Sequence, residues 1–126
     1  MQRLKSGLWV AAYIRRLAHE GVTAVVLRHG ADDAGAIFVK VARLDGTADL
    51  YGPAPQAFFD ADDSGERRFE RIFQGVPESD AEARIGRERG FDPDLWAVEV
   101  EDRHGRHFLE LAGEPRPDPF AGLFRR

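Results

Sequence analysis

The chain contains no cysteine at any of its 126 positions. That single absence excludes disulfides, thiolate nucleophiles, iron–sulfur clusters and cysteine-based zinc sites, and a reducing compartment is the natural reading. Long apolar runs are also missing. Residues 7–14 are apolar, but Arg15 and Arg16 end the stretch before it reaches the length of a signal-peptide core, and no small-residue cleavage site follows. No run approaches the roughly 18 residues needed to cross a bilayer. The expectation is a cytoplasmic protein with no membrane segment. A basic excess is lacking too, since 18 Lys and Arg stand against 22 Asp and Glu for a net charge of −4. Without that excess there is no general electrostatic footprint for nucleic acid, which is disfavoured as a partner.

Catalytic signatures are equally scarce. There is no G-x-S-x-G elbow, no phosphate-binding glycine loop, no dinucleotide fingerprint and no H-E-x-x-H. The acid-x-lysine of metal-dependent nucleases fails at Lys40, which has Phe38 two residues before it. The aspartates at 60, 62 and 63 lack the ligand spacing and closing glutamate of a calcium loop. No cofactor is implied.

What remains is a globular composition, 43% hydrophobic and 32% charged, of a length that suits one domain. A helix is expected over 8–20, capped by Ser6 and stopped by Gly21. Its inward arc holds Leu8, Val10, Ala11, Tyr13, Ile14, Leu17 and Ala18, with Trp9 nearly opposite. Residues 23–28 are short and β-branched between glycines, and read as a buried strand. The strongest local signal is Asp45-Gly46 between two strand-like runs, a two-residue hairpin turn. That turn sets Lys40 opposite Tyr51, Val41 opposite Leu50 and Ala42 opposite Asp49. One face then carries Ile37, Val39, Val41 and Leu50, and the other Phe38, Lys40, Ala42, Asp49 and Tyr51. Residues 66–73 fit helix and strand spacings alike, and their length between glycine-containing loops favours a strand.

Ser79 and Glu82 have the spacing of a capping box for a surface helix ending near Arg89 and Gly90. A second hairpin is expected, with 96–102 and 106–111 joined at His104-Gly105, Val98 opposite Leu111 and Val100 opposite Leu109. That register sets Glu99 opposite Glu110, with Glu101 beside them, and Asp102 across from His107. Three prolines then alternate at 115, 117 and 119, followed by Phe120, Leu123 and Phe124 at the spacing of a one-turn apolar anchor. The expected architecture is α+β, in the order α-β-β-β-β-α-β-β. It has a largely antiparallel sheet of five to six strands, and at least the first helix covers the face of Ile37, Val39, Val41, Val98, Val100, Leu109 and Leu111. Residues 1–112 are read as one domain and 113–126 as an extended tail.

Three function classes follow. The first is a non-catalytic binding module working through a protein partner or self-association, with Trp9, Phe120, Leu123 and Phe124 as candidate contacts. The second is a metal-assisted hydrolase using Glu99, Glu101 and Glu110 with His107, because like charges opposed on a sheet call for a cation or a raised pKa. Neighbouring arginines or solvent would relieve the repulsion equally well. The third is single-strand nucleic-acid binding on the Phe38, Lys40 and Tyr51 face. Lys40 is read as a cross-strand partner of Asp49, with an activated lysine as the alternative.

Five stretches together resemble a known family: RLKSGLW at 3–9, KVARLDG at 40–46, LYGPAP at 50–55, RRFE at 67–70 and FDPDLWAVEVED at 91–102. They are similar to short bacterial proteins grouped as domain of unknown function 1491, over roughly residues 3–111. The resemblance implies a small cytoplasmic bacterial protein and brings no activity, cofactor or catalytic residue.

Overall fold

The computed structural model describes residues 4–55 and 67–113. Within them run α1 (Ser6–His19), β1 (Thr23–Arg28), β2 (Ile37–Ala42), β3 (Thr47–Pro53), β4 (Phe69–Pro77), α2 (Glu78–Phe91) and β5 (Trp96–Glu101). The class is α+β, and the strand expected over 66–73 is β4, which runs later, to Pro77; its spacing fits helix and strand alike, and its length favours the strand. The expected polar loop around Asp60, Asp62 and Asp63, and the tail with Phe120, Leu123 and Phe124, lie outside the described residues.

The sheet is mixed rather than largely antiparallel. Its order is β1-β5-β2-β3-β4, and β5 runs parallel to β2. The cause is α2, which carries the chain from edge strand β4 back across the sheet and drops β5 between β1 and β2. Both edges of β5 are thereby occupied, with Val98 paired to Val26 on one side and Val39 on the other. No edge is left for residues 106–111, so the expected second hairpin does not form. Those residues make one isolated bridge, Leu111 to Phe69, and Phe108 sits at φ 57.

Two cores result, one per face. Val10, Tyr13 and Leu17 of α1 pack on Ile37, Val39, Val41, Val98 and Val100, with Leu111 and Phe69 at one side. That face agrees with the sequence reading, Leu109 packing against it part-buried. On the other face Ala81 and Ile85 of α2 meet Ala48 and Leu50, while Phe38, Leu95 and Ala97 cluster beside them. Every residue of β2 is buried, as expected of a central strand covered on both sides.

The first hairpin forms one register out from expectation. Val39 faces Tyr51, Lys40 faces Leu50, Val41 faces Asp49 and Ala42 faces Ala48. Arg43 N–H donates to Thr47 O at 3.0 Å, which closes a three-residue loop with Leu44 at φ 65 and Gly46 at φ 89. The Asp45 carboxylate stabilises this wider bend by accepting from Thr47 N at 2.9 Å and Thr47 Oγ1 at 2.6 Å. A slip of one residue moves a whole strand's side chains to the other face. Tyr51 therefore lies under α1 and Leu50 under α2.

Both helix starts also differ from expectation. Ser6 is the first residue of α1 and does not cap it; its Oγ donates to Gly35 O at 3.0 Å. The α2 capping box is absent, because Pro77 precedes the helix and no side chain caps it.

Candidate functional site

Lys40 is a buried charge with three carboxylate partners. Its side chain is 1% exposed, and Nζ lies 2.9 Å from Glu78, 2.9 Å from Glu82 and 3.0 Å from Glu99. The arrangement follows from register and helix geometry. Glu99 pairs with Lys40 in the parallel ladder, and Glu78 and Glu82, one turn apart, share the face of α2 that meets β2. An ammonium has three N–H donors, and each finds one carboxylate. Burial alone would lower the lysine pKa, but the three hydrogen bonds outweigh it and hold the group well above its ordinary range. The cluster holds Lys40 as a cation at neutral pH. The expected Lys40–Asp49 bridge is also replaced. Asp49 is buried on the opposite face, where Arg43 Nη2 donates to it at 2.7 Å and Gly75 N at 2.8 Å.

The acidic trio does not assemble. Glu99 is drawn to Lys40 and stands opposite Val25 of β1, and Glu101 stands between Thr23 and Ala42. Glu110 belongs to the other end of the sheet, where its carbonyl accepts from Phe69 N at 2.9 Å. His107 is not paired with Asp102. Its Nδ1 accepts from Leu109 N at 2.9 Å and its ring lies 4.7 Å from that of Tyr51. Asp102 instead binds Arg106, accepting from Nη2 at 2.8 Å and from the backbone N at 2.7 Å. These charge-assisted bonds hold the Asp102 carboxyl below the usual carboxylate range. Among the described residues no group of three His, Asp or Glu side chains is placed to hold a metal ion. The nucleic-acid face fails as a surface, because Phe38, Lys40 and Tyr51 are all buried and the one-residue slip parts Tyr51 from the other two.

Trp9 stacks on Tyr13 at 4.8 Å between ring centroids and meets Phe69 at 5.3 Å. Its half-buried indole thus fills the gap between α1 and β4. Arg16, on the same flank of the helix, donates to Phe108 O at 3.4 Å. Ala11 and Ala18 are exposed, not inward. Leu8 is 60% exposed, not inward.

The most unusual surface lies on β1. Sequence reading expects 23–28 to be a buried strand, but among the described residues β1 is an edge, paired only with β5. Val25, Val26 and Leu27 are 47%, 39% and 48% exposed. The register breaks between Val26 and Arg28, which puts Leu27 in a bulge. Natural edge strands are usually guarded by charge, proline or a covering element. In β1 the only charged residue is Arg28 at its end. Sequence reasoning missed this surface because an apolar β-branched run looks alike in a central strand and at an edge.

Three comparisons bear on kinship. The profile of the family described as "Protein of unknown function (DUF1491)" matches residues 4–110. The chain is similar to a protein of A. tumefaciens with a solution structure, at 46% identity and TM-score 0.78, covering 92% of this chain and 100% of that one. It is also similar to a DUF1491 family protein from Caulobacter crescentus CB15. The crystal structure of that protein gives 40% identity and TM-score 0.71 over 89% of this chain and 98% of that one. Its NMR structure gives 40% identity and TM-score 0.70 over 91% and 100%. No curated protein matches the chain. Among the described residues no helix is long and apolar enough to cross a membrane. The match over nearly the whole described chain, and the likeness of these solved structures, place the chain in the DUF1491 family.

Proposed function

We propose that this domain is a non-catalytic protein-docking module whose partner adds to the β1 edge. The observation that carries the reading is the run Val25, Val26 and Leu27, exposed on an edge strand whose only charge is terminal. An edge strand offers unpaired backbone N–H and C=O groups to an incoming strand, and its side chains supply specificity. The polar chemistry elsewhere supports the same reading, since Lys40, Asp49 and Asp102 each satisfy a neighbour within the fold. A cytoplasmic setting fits the absence of cysteine. The Phe120, Leu123 and Phe124 anchor would be a second contact in the tail beyond residue 112.

Photo-crosslinking tests the reading. A photoreactive residue at Val25 is expected to give discrete crosslinked species in the native cell, and the same group at exposed Ala83 on α2 is not. Equal patterns at the two positions would defeat it.

A further inference from the structure

We propose that α2 is an ion-latched cover, which opens as one unit while α1 and the five strands stay folded, and bares the sheet around Phe38, Lys40 and Leu50. That face lies opposite α1, and its cover is independent of any partner at the β1 edge. Apolar contact holds α2 only weakly. Ala81 is its one buried residue, and Ile85 packs part-buried on the two clusters beneath. Its other apolar side chains, Ala83 and Phe91, are exposed. α1 by contrast buries Val10, Tyr13 and Leu17. Hydrophobic stabilisation scales with the area removed from water, so α2 is the more easily lifted of the two helices.

Once lifted, α2 unfolds. It has 14 residues and no side-chain cap, and a helix of that length is marginal alone in water. Gly86 lies in its interior with open space where a side chain would stand, and an interior glycine weakens a helix further. Leaving the sheet and losing the helical hydrogen bonds are therefore one event.

The ion cluster holds the helix when closed and comes apart cleanly when open. Two of the three carboxylates on Lys40, those of Glu78 and Glu82, travel with α2, and their side chains are already 36% and 61% exposed. The third, Glu99, belongs to β5 and stays 3.0 Å from Nζ. A buried cation whose only partners left with the helix would resist opening strongly. Lys40 instead keeps Glu99 and is reached by water as the cover over it departs, so no charge is stranded in either state.

Native-state amide exchange of the full chain by NMR tests the proposal. Relative to intrinsic rates, the amides of residues 82–90 are expected to exchange at least about a hundredfold faster than those of β2 and β5, and to share one opening. Leu17→Ala removes a contact that persists when α2 is open. It should speed β2 and β5 at least about thirtyfold and leave α2 within about twofold. Ile37→Val repeats the contrast at about three- to tenfold, should the alanine variant fail to fold. Glu78→Gln/Glu82→Gln, which spares the Lys40–Glu99 pair, speeds α2 about fivefold or more. One common rate for α2 and the central strands overturns the proposal, as does a Leu17→Ala or Ile37→Val variant that speeds α2 as much as the strands. Rates graded inward from the ends of α2 mean fraying and overturn it too. An α2 unmoved by the glutamine pair removes the latch, and with it the proposal.

Discussion

Replacing Lys40 by methionine leaves Glu78, Glu82 and Glu99 converging on an uncharged side chain. Removing one member of a buried charge cluster strands the others, at a cost of several kcal/mol when they cannot reach water. Glu82 is 61% exposed and Glu99 21%, so the carboxylates escape in part, and Lys40→Met is expected to cost about 2–4 kcal/mol. Glu82→Gln should cost less than about 1 kcal/mol, as exposed pairs do, with Glu99→Gln in between. Urea unfolding checks this order, and equal losses for Lys40→Met and Glu82→Gln would refute the account. The raised pKa of Lys40 means its contribution is complete below the ordinary lysine value, about 10.4, and fades only as pH rises through the higher folded value. Asp102 behaves in the opposite sense. Its folded pKa is depressed, so its contribution is complete above about 4 and is lost as pH falls from there through the folded value. Asp102→Asn is therefore expected to lower stability at neutral pH and flatten the acid limb of stability against pH. An unchanged acid limb would place the acid sensitivity elsewhere.

At the scale of elements, the first hairpin shows both how far sequence reasoning reaches and where it stops. Alternation located both strands and the inward face of β2, because Ile37, Val39 and Val41 have the period of a pleated strand. The register depended on the bend, and two bends compete for the same Asp-Gly pair. Leu44 adopts φ 65, a conformation that costs a non-glycine residue about 1–2 kcal/mol, so a two-residue turn looked better locally. The wider loop prevails because it buries Tyr51 against the α1 face and lets Asp49 meet both Arg43 and Gly75. Local strain is tolerated for long-range packing. Leu44→Asn, which accepts the left-handed region more readily, is expected to stabilise the protein by about 0.5–1 kcal/mol without moving the register. Thermal unfolding reads the gain, and a loss would mean that the exposed leucine makes contacts of its own. The same limit explains α1, whose apolar arc is wider than the core face it packs on. Periodicity reports every apolar position on a helix and does not say which flank another surface covers.

For the whole molecule, topology was the least legible level. Six strand-like runs in order suggest hairpins, since neighbours in sequence usually neighbour in space. The clue to the exception lies in residues 96–101, where apolar Trp96, Ala97, Val98 and Val100 leave Glu99 as an interior charge. A parallel strand buried on both faces tolerates such a charge only when a partner is buried with it, and Lys40 on β2 is that partner. The candidate acidic site and the real ion cluster are two readings of one residue, and the strand order decides between them. The same order bears on the tail. All described helices, strands and core residues lie between positions 4 and 113. Among the described residues, the last tie of the sheet to the C-terminal segment is the Ala112 to Phe69 hydrogen bond. A chain ending at Gly113 keeps that bond and both cores, so its denaturation midpoint is expected to match that of the full chain to within about 0.5 kcal/mol, as for changes outside a core. A chain ending at His107 removes Leu109 and Leu111 from the α1 core along with the Leu111 bridge, and should lose about 3 kcal/mol or more. If the shorter cut proves harmless while loss of 114–126 is costly, the core extends into the tail and the boundary near residue 112 is wrong.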